Sequence, residues 1–387
     1  MPAGRGPVTG LQMTRNSQGC FQVLVESKVS VKNVALVLVS CIAILACCEI
    51  ALRLGGYDPM RGLRDGRELI LRPSSQPDLK YELNPGASGQ AWGTRVVINS
   101  HGFRGPEPRQ DKRPGYRILI LGDSIAFGNF LSLRETFAYQ LQQLLFADSQ
   151  DAEVLNFGVG GYDTVQEVAL LESRGLQYEP DLVVVTYCLN DAAIVSANLK
   201  FIEELRARER NVLYRLRVVQ FVAEKLDIVK HKTWVDHKND REVFRREYGH
   251  QIDPIRDGET ELLALMDEAP PVHPSKWYGD RDRVGRLRFA FRRLSELSRQ
   301  AGFSVVVVIV PWLIEGGGNY PYTTVHRIVE LEARRAGFAT IDLTGRFVSA
   351  GIGNLKRHPR DYLHANEAGH AIIADELMRY ILKDETR

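Results

Sequence analysis

The sequence predicts an α/β fold: a parallel five-stranded sheet with helices on both faces. A long helical insertion separates its third and fourth strands, and an apolar helix precedes it. Three observations predict this. From residue 117 to 382, strand-like and helix-like segments alternate, as strand–helix–strand units of one parallel sheet do. Leu182–Tyr187 and Ser304–Val310 are continuous β-branched runs, the mark of strands buried on both faces. The alternation breaks once, over 192–300, a stretch far longer than an ordinary crossover.

Taken from the amino end, residues 1–30 are polar and glycine-containing, and read as a disordered cytoplasmic tail. From Val34 to Cys48 there is no charge, and Ile50, Ala51, Leu52 and Leu54 continue the run past Glu49. A bilayer needs roughly 20 apolar residues, so 31–54 is a transmembrane signal anchor, with Glu49 near the far interface. Arg5, Arg15, Lys28 and Lys32 precede it against Glu26 alone. The positive-inside rule then leaves the amino end in the cytoplasm and the rest of this single-pass chain outside. Ala46-Cys47-Cys48-Glu49 is a poor cleavage site, and Ile44-Leu45-Ala46-Cys47 only faintly follows a lipidation pattern.

Residues 55–115, rich in Pro and Gly, read as an irregular β lead-in with one strand, Arg95–Ile98, packed on a larger domain over 116–387. That domain supplies strands at Arg117–Leu121, Glu153–Phe157, Leu182–Tyr187, Ser304–Val310 and Phe338–Leu343. Helices are expected at Leu133–Phe146, Val165–Ser173, Val325–Ala336 and Asn366–Leu382, the last capped by Asn366. Within 192–300, Leu199–Lys230 and Val284–Ser298 read as helical, whereas Asp236–Glu259 is charged and lacks an apolar period. Two readings of this insertion stand open: a solvated helical addition, or a cap over a site at the carboxyl edge of the sheet.

Composition narrows the function. The 50 basic residues nearly balance the 48 acidic ones, and a net charge of +2 with no aromatic-laced basic patch gives no footprint for nucleic acid. Of five cysteines, Cys20, Cys41, Cys47 and Cys48 lie in or before the apolar run. Cys188 stands alone, so neither an internal disulfide nor a zinc site is expected in the domain.

Chemistry-bearing residues fall at the carboxyl ends of the strands, where open α/β sheets put their ligands. Gly122-Asp123-Ser124 closes the first strand and opens a helix, which puts a hydroxyl beside free backbone N–H groups. The glycine-rich Gly158-Val159-Gly160-Gly161 turn after the second strand can bring an N–H to a developing oxyanion. Asn190, after the third strand, can add a side-chain N–H to the same charge. Before the last helix, Asp361 and His364 are spaced so that one short turn carries both. His364 would then take a proton from Ser124 while Asp361 orients the imidazole. Asp123 reads as a turn residue, Asp191 as a helix cap, His370 as packing or capping, and Cys188 as an inert buried thiol. Trp312, at the end of the fourth strand, suits core packing and substrate stacking equally. His273 and Trp277, in the apolar, basic and aromatic stretch Val272–Tyr278, are further candidates for substrate contact.

Four blocks in this order resemble the SGNH hydrolases, the GDSL-like lipases and esterases. They are Gly122-Asp123-Ser124, Gly161, Asn190-Asp191 and Asp361-x-x-His364. The entry Asn366-Glu367-Ala368-Gly369-His370 and the segment Glu135-Thr136-Phe137 are similar as well. The resemblance covers about Tyr116 to Leu382 without the insertion, and Cys188 stands where the family often has glycine. It implies a three-layer, flavodoxin-like α/β/α sandwich. It also implies Ser124 as nucleophile, Ser124, Gly161 and Asn190 as oxyanion donors, a catalytic Asp361–His364 pair, an acyl-serine intermediate, and no metal or cofactor. Facing outward from a membrane, such an esterase is expected to meet O-acetyl or other short acyl esters of envelope carbohydrate, or lipid, alongside partners in polysaccharide modification. Three rivals use the same residues or scaffold: a polysaccharide O-acetyltransferase, a long-chain lipase or thioesterase, and an inactive membrane-tethered binding or assembly protein.

Overall fold

The computed structural model describes residues 11–15, 21–25, 31–57, 66–109, 115–193, 197–223, 225–226, 240–269, 272–315 and 319–384. The chain forms two compact units, one of residues 1–59 and 212–225, the other of 60–211 and 226–387. In the first, the helix Val31–Leu54 is long and apolar enough to cross a membrane, and none of its residues is buried. Glu49 accepts the Arg53 guanidinium at 2.7 Å and the Val218 N–H at 2.8 Å. Where an irregular tail is expected, Leu11–Arg15 pairs antiparallel with Phe21–Val25. The remainder of 1–30, Cys20 included, lies outside the described residues.

The second unit holds five parallel strands: β1 (Tyr116–Gly122), β2 (Ala152–Asn156), β3 (Leu182–Cys188), β4 (Ser304–Val310) and β5 (Ala339–Asp342). Their order across the sheet is β2-β1-β3-β4-β5. Ile118–Leu121, Leu182–Val185 and Val306–Ile309 are wholly buried. Each such side chain contributes about 1.5–3 kcal/mol, which is why these runs contain no polar alternation. Helices cover both faces. Phe137–Ala147 packs on Glu367–Asp384, Thr164–Leu170 on Arg281–Ala301, and Thr260–Glu268 on Thr323–Arg335. From β1 the chain passes to β2 on one side and then to β3 on the other, which opens a crevice at the carboxyl ends of β1 and β3. Ser124 and Asn190 stand there.

Two sequence expectations change. The lead-in carries two antiparallel hairpins rather than one strand, Leu71–Pro73 with Tyr81–Leu83 and Ser88–Ala91 with Thr94–Val97. It belongs to the same compact unit as the sheet, with Trp92 edge-on to Phe127 at 5.3 Å and Phe103 stacked on Phe157 at 4.8 Å. The insertion is only partly an addition, because Arg281–Ala301 is the buried crossover helix leading into β4. In the charged stretch, of which 236–239 lie outside the described residues, Arg241–Tyr248 is a helix with Val243, Phe244 and Tyr248 buried. Its apolar stripe is one turn long and hidden among charges that are themselves paired. Arg241 and Arg245 both bond Asp282, and the Arg283 and Arg286 guanidinium groups lie over Phe244 and Tyr248 at 4.9 and 4.6 Å.

Candidate active site

The turn after β1 is built around Asp123. Its Oδ1 accepts the Ile125 N–H at 2.9 Å, capping the short turn Ser124–Phe127 and leaving the Ser124 side chain at the crevice. The loop after β2 closes against this turn. Val159 donates to the Gly122 carbonyl at 3.0 Å, and a Cβ on Gly158 would stand 2.4 Å from the Phe127 nitrogen, so only glycine fits.

Across the sequence, His364 Nε2 lies 3.0 Å from Ser124 Oγ. The other ring nitrogen, Nδ1, lies 3.0 and 3.2 Å from the two Asp361 oxygens. Asp361 Oδ1 also accepts the backbone N–H groups of Leu363 and His364, both at 3.0 Å. Burial alone pushes the Asp361 carboxyl up, but hydrogen bonds from His364 and the backbone outweigh it and hold its pKa at about 2. An ionised Asp361 can only accept, so Nδ1 carries the proton and Nε2 of the neutral ring is the acceptor for the serine O–H.

Two residues outside any motif complete this side. Phe130 meets the His364 ring edge-on at 4.9 Å, and the Arg357 guanidinium covers the Phe130 ring at 3.6 Å while its Nη1 lies 3.9 Å from Asp361.

Among the described residues, the Ser124 and Gly161 N–H groups have no protein acceptor. Gly161 holds a left-handed φ of 78°. Asn190 donates one amide hydrogen to Asp123 Oδ2 at 2.8 Å, which leaves the second for a ligand. The preceding carbonyl, that of Gly160, accepts from Tyr81 Oη at 2.9 Å and from Asn198 Nδ2 at 2.6 Å.

Beneath the site lie carboxyls the sequence reading assigned otherwise or passed over. Asp191 accepts from Thr164 Oγ1 at 3.3 Å and from the Cys188 N–H at 3.4 Å, so it caps a turn as expected, but it is wholly enclosed. Burial and the neighbouring Glu167 push its pKa well up, and Glu167 is raised in the same way beside Asp123. Asp163 pairs with the buried Arg286 at 2.9 Å. His370 is buried and its Nδ1 accepts the Phe137 N–H at 3.1 Å, at the start of the helix Phe137–Ala147. Burial pushes the Cys188 thiol well up, as befits an inert side chain. Among the described residues, no group of three His, Cys, Asp or Glu could hold a metal ion.

The aromatic candidates converge, and of the two roles open for Trp312 its burial favours packing. Trp312 is only 2 % exposed, so it backs the cluster rather than offering a face. It touches Tyr362 at 5.1 Å and His273 at 5.2 Å, and His273 meets Trp277 at 4.4 Å. Tyr362, within the Asp361–His364 turn, is 43 % exposed, and no motif marked it. Burial, with Lys276 nearby, lowers the His273 pKa.

Among solved structures, an acetyl xylan esterase is similar with a TM-score of 0.40 and 14% identity, over 68% of this chain and 99% of that one. An acetylxylan esterase from Geobacillus stearothermophilus has a TM-score of 0.39 and 14% identity, over 69% and 94%. A two-domain esterase active on acetylated mannans has a TM-score of 0.38 and 16% identity, over 70% and 50%. No curated protein matches the chain. The profile of the GDSL-like lipase/acylhydrolase family matches residues 120–372, well over half of the sequence, and the chain belongs to that family of ester hydrolases.

Proposed function

We propose that the protein is a membrane-anchored serine esterase that removes O-acetyl or other short acyl groups from carbohydrate outside the cytoplasmic membrane. The observation that carries the chemistry is the 3.0 Å approach of His364 Nε2 to Ser124 Oγ, with Asp361 on the far nitrogen.

In this mechanism Ser124 Oγ attacks the ester carbonyl as His364 takes its proton. Asp361 stays ionised and stabilises the imidazolium. The new oxyanion lies among the N–H groups of Ser124, Gly161 and Asn190. As the C–O bond breaks, His364 returns the proton to the leaving alcohol. Water, deprotonated by His364, then attacks the acyl-serine and releases the acid and free Ser124.

Support for a sugar substrate is the aromatic surface of Tyr362, His273 and Trp277 backed by Trp312, since such faces stack against sugar rings. Support for the outward setting is the apolar helix Val31–Leu54, with Arg5, Arg15 and Lys28 before it and Lys32 in its first turn.

The test is turnover of p-nitrophenyl acetate by the detergent-solubilised full chain beside Ser124→Ala, followed by acetate release from acetylated oligosaccharides. Steady turnover abolished by the substitution supports the esterase. A single acetyl burst that is relieved only by a sugar acceptor would replace it with a transferase, and faster turnover of long acyl chains would replace acetyl with lipid.

A further inference from the structure

The Gly160–Gly161 peptide is held from outside the sheet. Its carbonyl receives two hydrogen bonds, the Tyr81 hydroxyl at 2.9 Å and the Asn198 amide at 2.6 Å. Both donors are enclosed, Tyr81 at 0 % and Asn198 at 6 % exposure. Tyr81 comes from the lead-in strand Tyr81–Leu83 and Asn198 from the first turn of the helix Ala197–Arg210, so neither belongs to the strand–helix units of the sheet. The grip is reciprocal, because the Tyr162 hydroxyl, next to Gly161, donates to the Tyr81 carbonyl while the two rings meet edge-on at 5.1 Å. Arg206, two turns further along the same helix, ties that helix to the lead-in by donating to the carbonyls of Ser74 and Lys80 at 3.0 and 2.9 Å.

A trans peptide sends its C=O and its N–H in opposite directions. The only cis bond among the described residues is His273–Pro274, so the Gly160–Gly161 unit is trans. Fixing the Gly160 oxygen on Tyr81 and Asn198 therefore fixes the Gly161 N–H on the opposite side, where among the described residues it has no protein acceptor. Flanked by two glycines, this peptide has little stiffness of its own and would otherwise rotate. Two donors on the carbonyl also polarise the unit and strengthen the N–H as a donor.

We infer that Tyr81 and Asn198 are positioning residues for the oxyanion site, acting through the Gly160 carbonyl to aim the Gly161 N–H at the developing charge. The inference rests on the esterase reading above. It also gives the lead-in and the start of the insertion a part in the chemistry: they lock the one oxyanion donor that the sheet itself leaves loose.

The experiment uses the full chain in detergent, as Tyr81→Phe, Asn198→Ala and the double variant. Two quantities are read: kcat and KM for p-nitrophenyl acetate, and affinity for phenylboronate, whose tetrahedral adduct with Ser124 places an oxygen in the oxyanion position. Each single variant is expected to lower kcat about 5- to 10-fold at unchanged KM. The double variant should lose about 100-fold, the lower bound for outright removal of an oxyanion donor. Boronate affinity should fall in step with kcat, which general loosening of the fold would not produce. The inference is overturned if kcat stays within two-fold of the parent, or if it falls while boronate affinity holds. Should the double variant not fold, the two single variants decide by the same criteria. A parent chain inactive on p-nitrophenyl acetate would sink the esterase reading, and boronate affinity alone would then decide the positioning role.

Discussion

Asp123 holds Asn190. The carboxylate takes the Ile125 N–H on one oxygen at 2.9 Å and the Asn190 side-chain amide on the other at 2.8 Å, so a residue that reads as turn chemistry also aims a proposed oxyanion donor. One Asn190 hydrogen is occupied there, and the ligand receives the other.

This coupling predicts a non-additive pair. Asn190→Ala should lower kcat by about 10²–10³, the usual cost of one oxyanion donor. Asp123→Ala should cost about 1 kcal/mol of stability through the lost cap, and a part of the same activity through the released amide. Because both act through one N–H group, the double variant should lose much less kcat than the product of the two single losses. A double-mutant cycle in kcat checks this, and simple multiplication of the losses would break the link.

Asp361→Asn is expected to keep the fold and KM yet lower kcat by about 10⁴. A neutral amide lets Nδ1 lose its proton, and Nε2 then carries one and cannot act as base. The stability effect has a defined sign. The Asp361 pKa is lowered from its ordinary 3.8 to about 2 in the folded chain. Its contribution is therefore present above about pH 4 and is lost as pH falls toward 2. Melting curves of the parent and Asp361→Asn should converge over that range.

Phe130 and Arg357 extend the acid–base side. With the Arg357 guanidinium 3.6 Å over Phe130 and Phe130 edge-on to His364, the imidazole has an aromatic wall that is itself pinned. Phe130→Ala should release the ring and lower kcat about ten-fold with little change in KM, part of the about 10²-fold that a 1 Å misplacement of a reacting group can cost. Arg357→Ala should give a smaller loss in the same direction, measured by the same kinetics.

How far the sequence could be read follows from where each interaction is encoded. β3 and β4 were legible because strands buried on both faces tolerate nothing but a continuous apolar run, as in Val305–Ile309. Ser124 and Asn190 at strand ends, and Asp361 and His364 just before the last helix, were legible as candidates because each lies within one short segment. Tyr81 and Asn198 were not, since they reach Gly160 across 79 and 38 residues of sequence and nothing local marks them. Arg241–Tyr248 was missed because an eight-residue helix shows one apolar turn, and its arginines find their carboxylate partner on another helix. Whether Trp312 packs or stacks stayed open because exposure is a property of the packed fold: it is buried, whereas Tyr362, beside it in the Asp361–His364 turn, reaches solvent.

The buried Arg286–Asp163 pair predicts an asymmetric stability effect. Both side chains are nearly enclosed and meet at 2.9 Å, with Gln251 on the same guanidinium. Arg286→Met should cost about 3–5 kcal/mol, because Asp163 is left as an unpaired buried charge near Glu167. Adding Asp163→Asn removes that charge and should restore a large share of the loss. Chemical denaturation of the two variants checks this, and equal destabilisation by both would show that the pair matters only as packing.

His370 gives the last prediction, and its sign is fixed by burial. The ring is enclosed, stacked on Phe137 at 5.7 Å, and its Nδ1 accepts the Phe137 N–H, so folding requires the neutral form. Burial, with the nearby His364 and Arg104, lowers its pKa from 6.5 to about 3. Below pH 6.5 the unfolded chain takes up a proton that the folded chain refuses. The stability contributed by His370 is therefore present above pH 6.5 and is lost as pH falls toward 3, at up to about 1.4 kcal/mol per pH unit. His370→Gln retains an acceptor for the Phe137 N–H but cannot titrate. It should be less stable than the parent at pH 7, where the ring packing is missed, and should draw level with it on acidification. Melting temperatures of both proteins between pH 7 and pH 4 test this, and parallel curves across that range would mean that folding leaves the proton affinity of His370 unchanged.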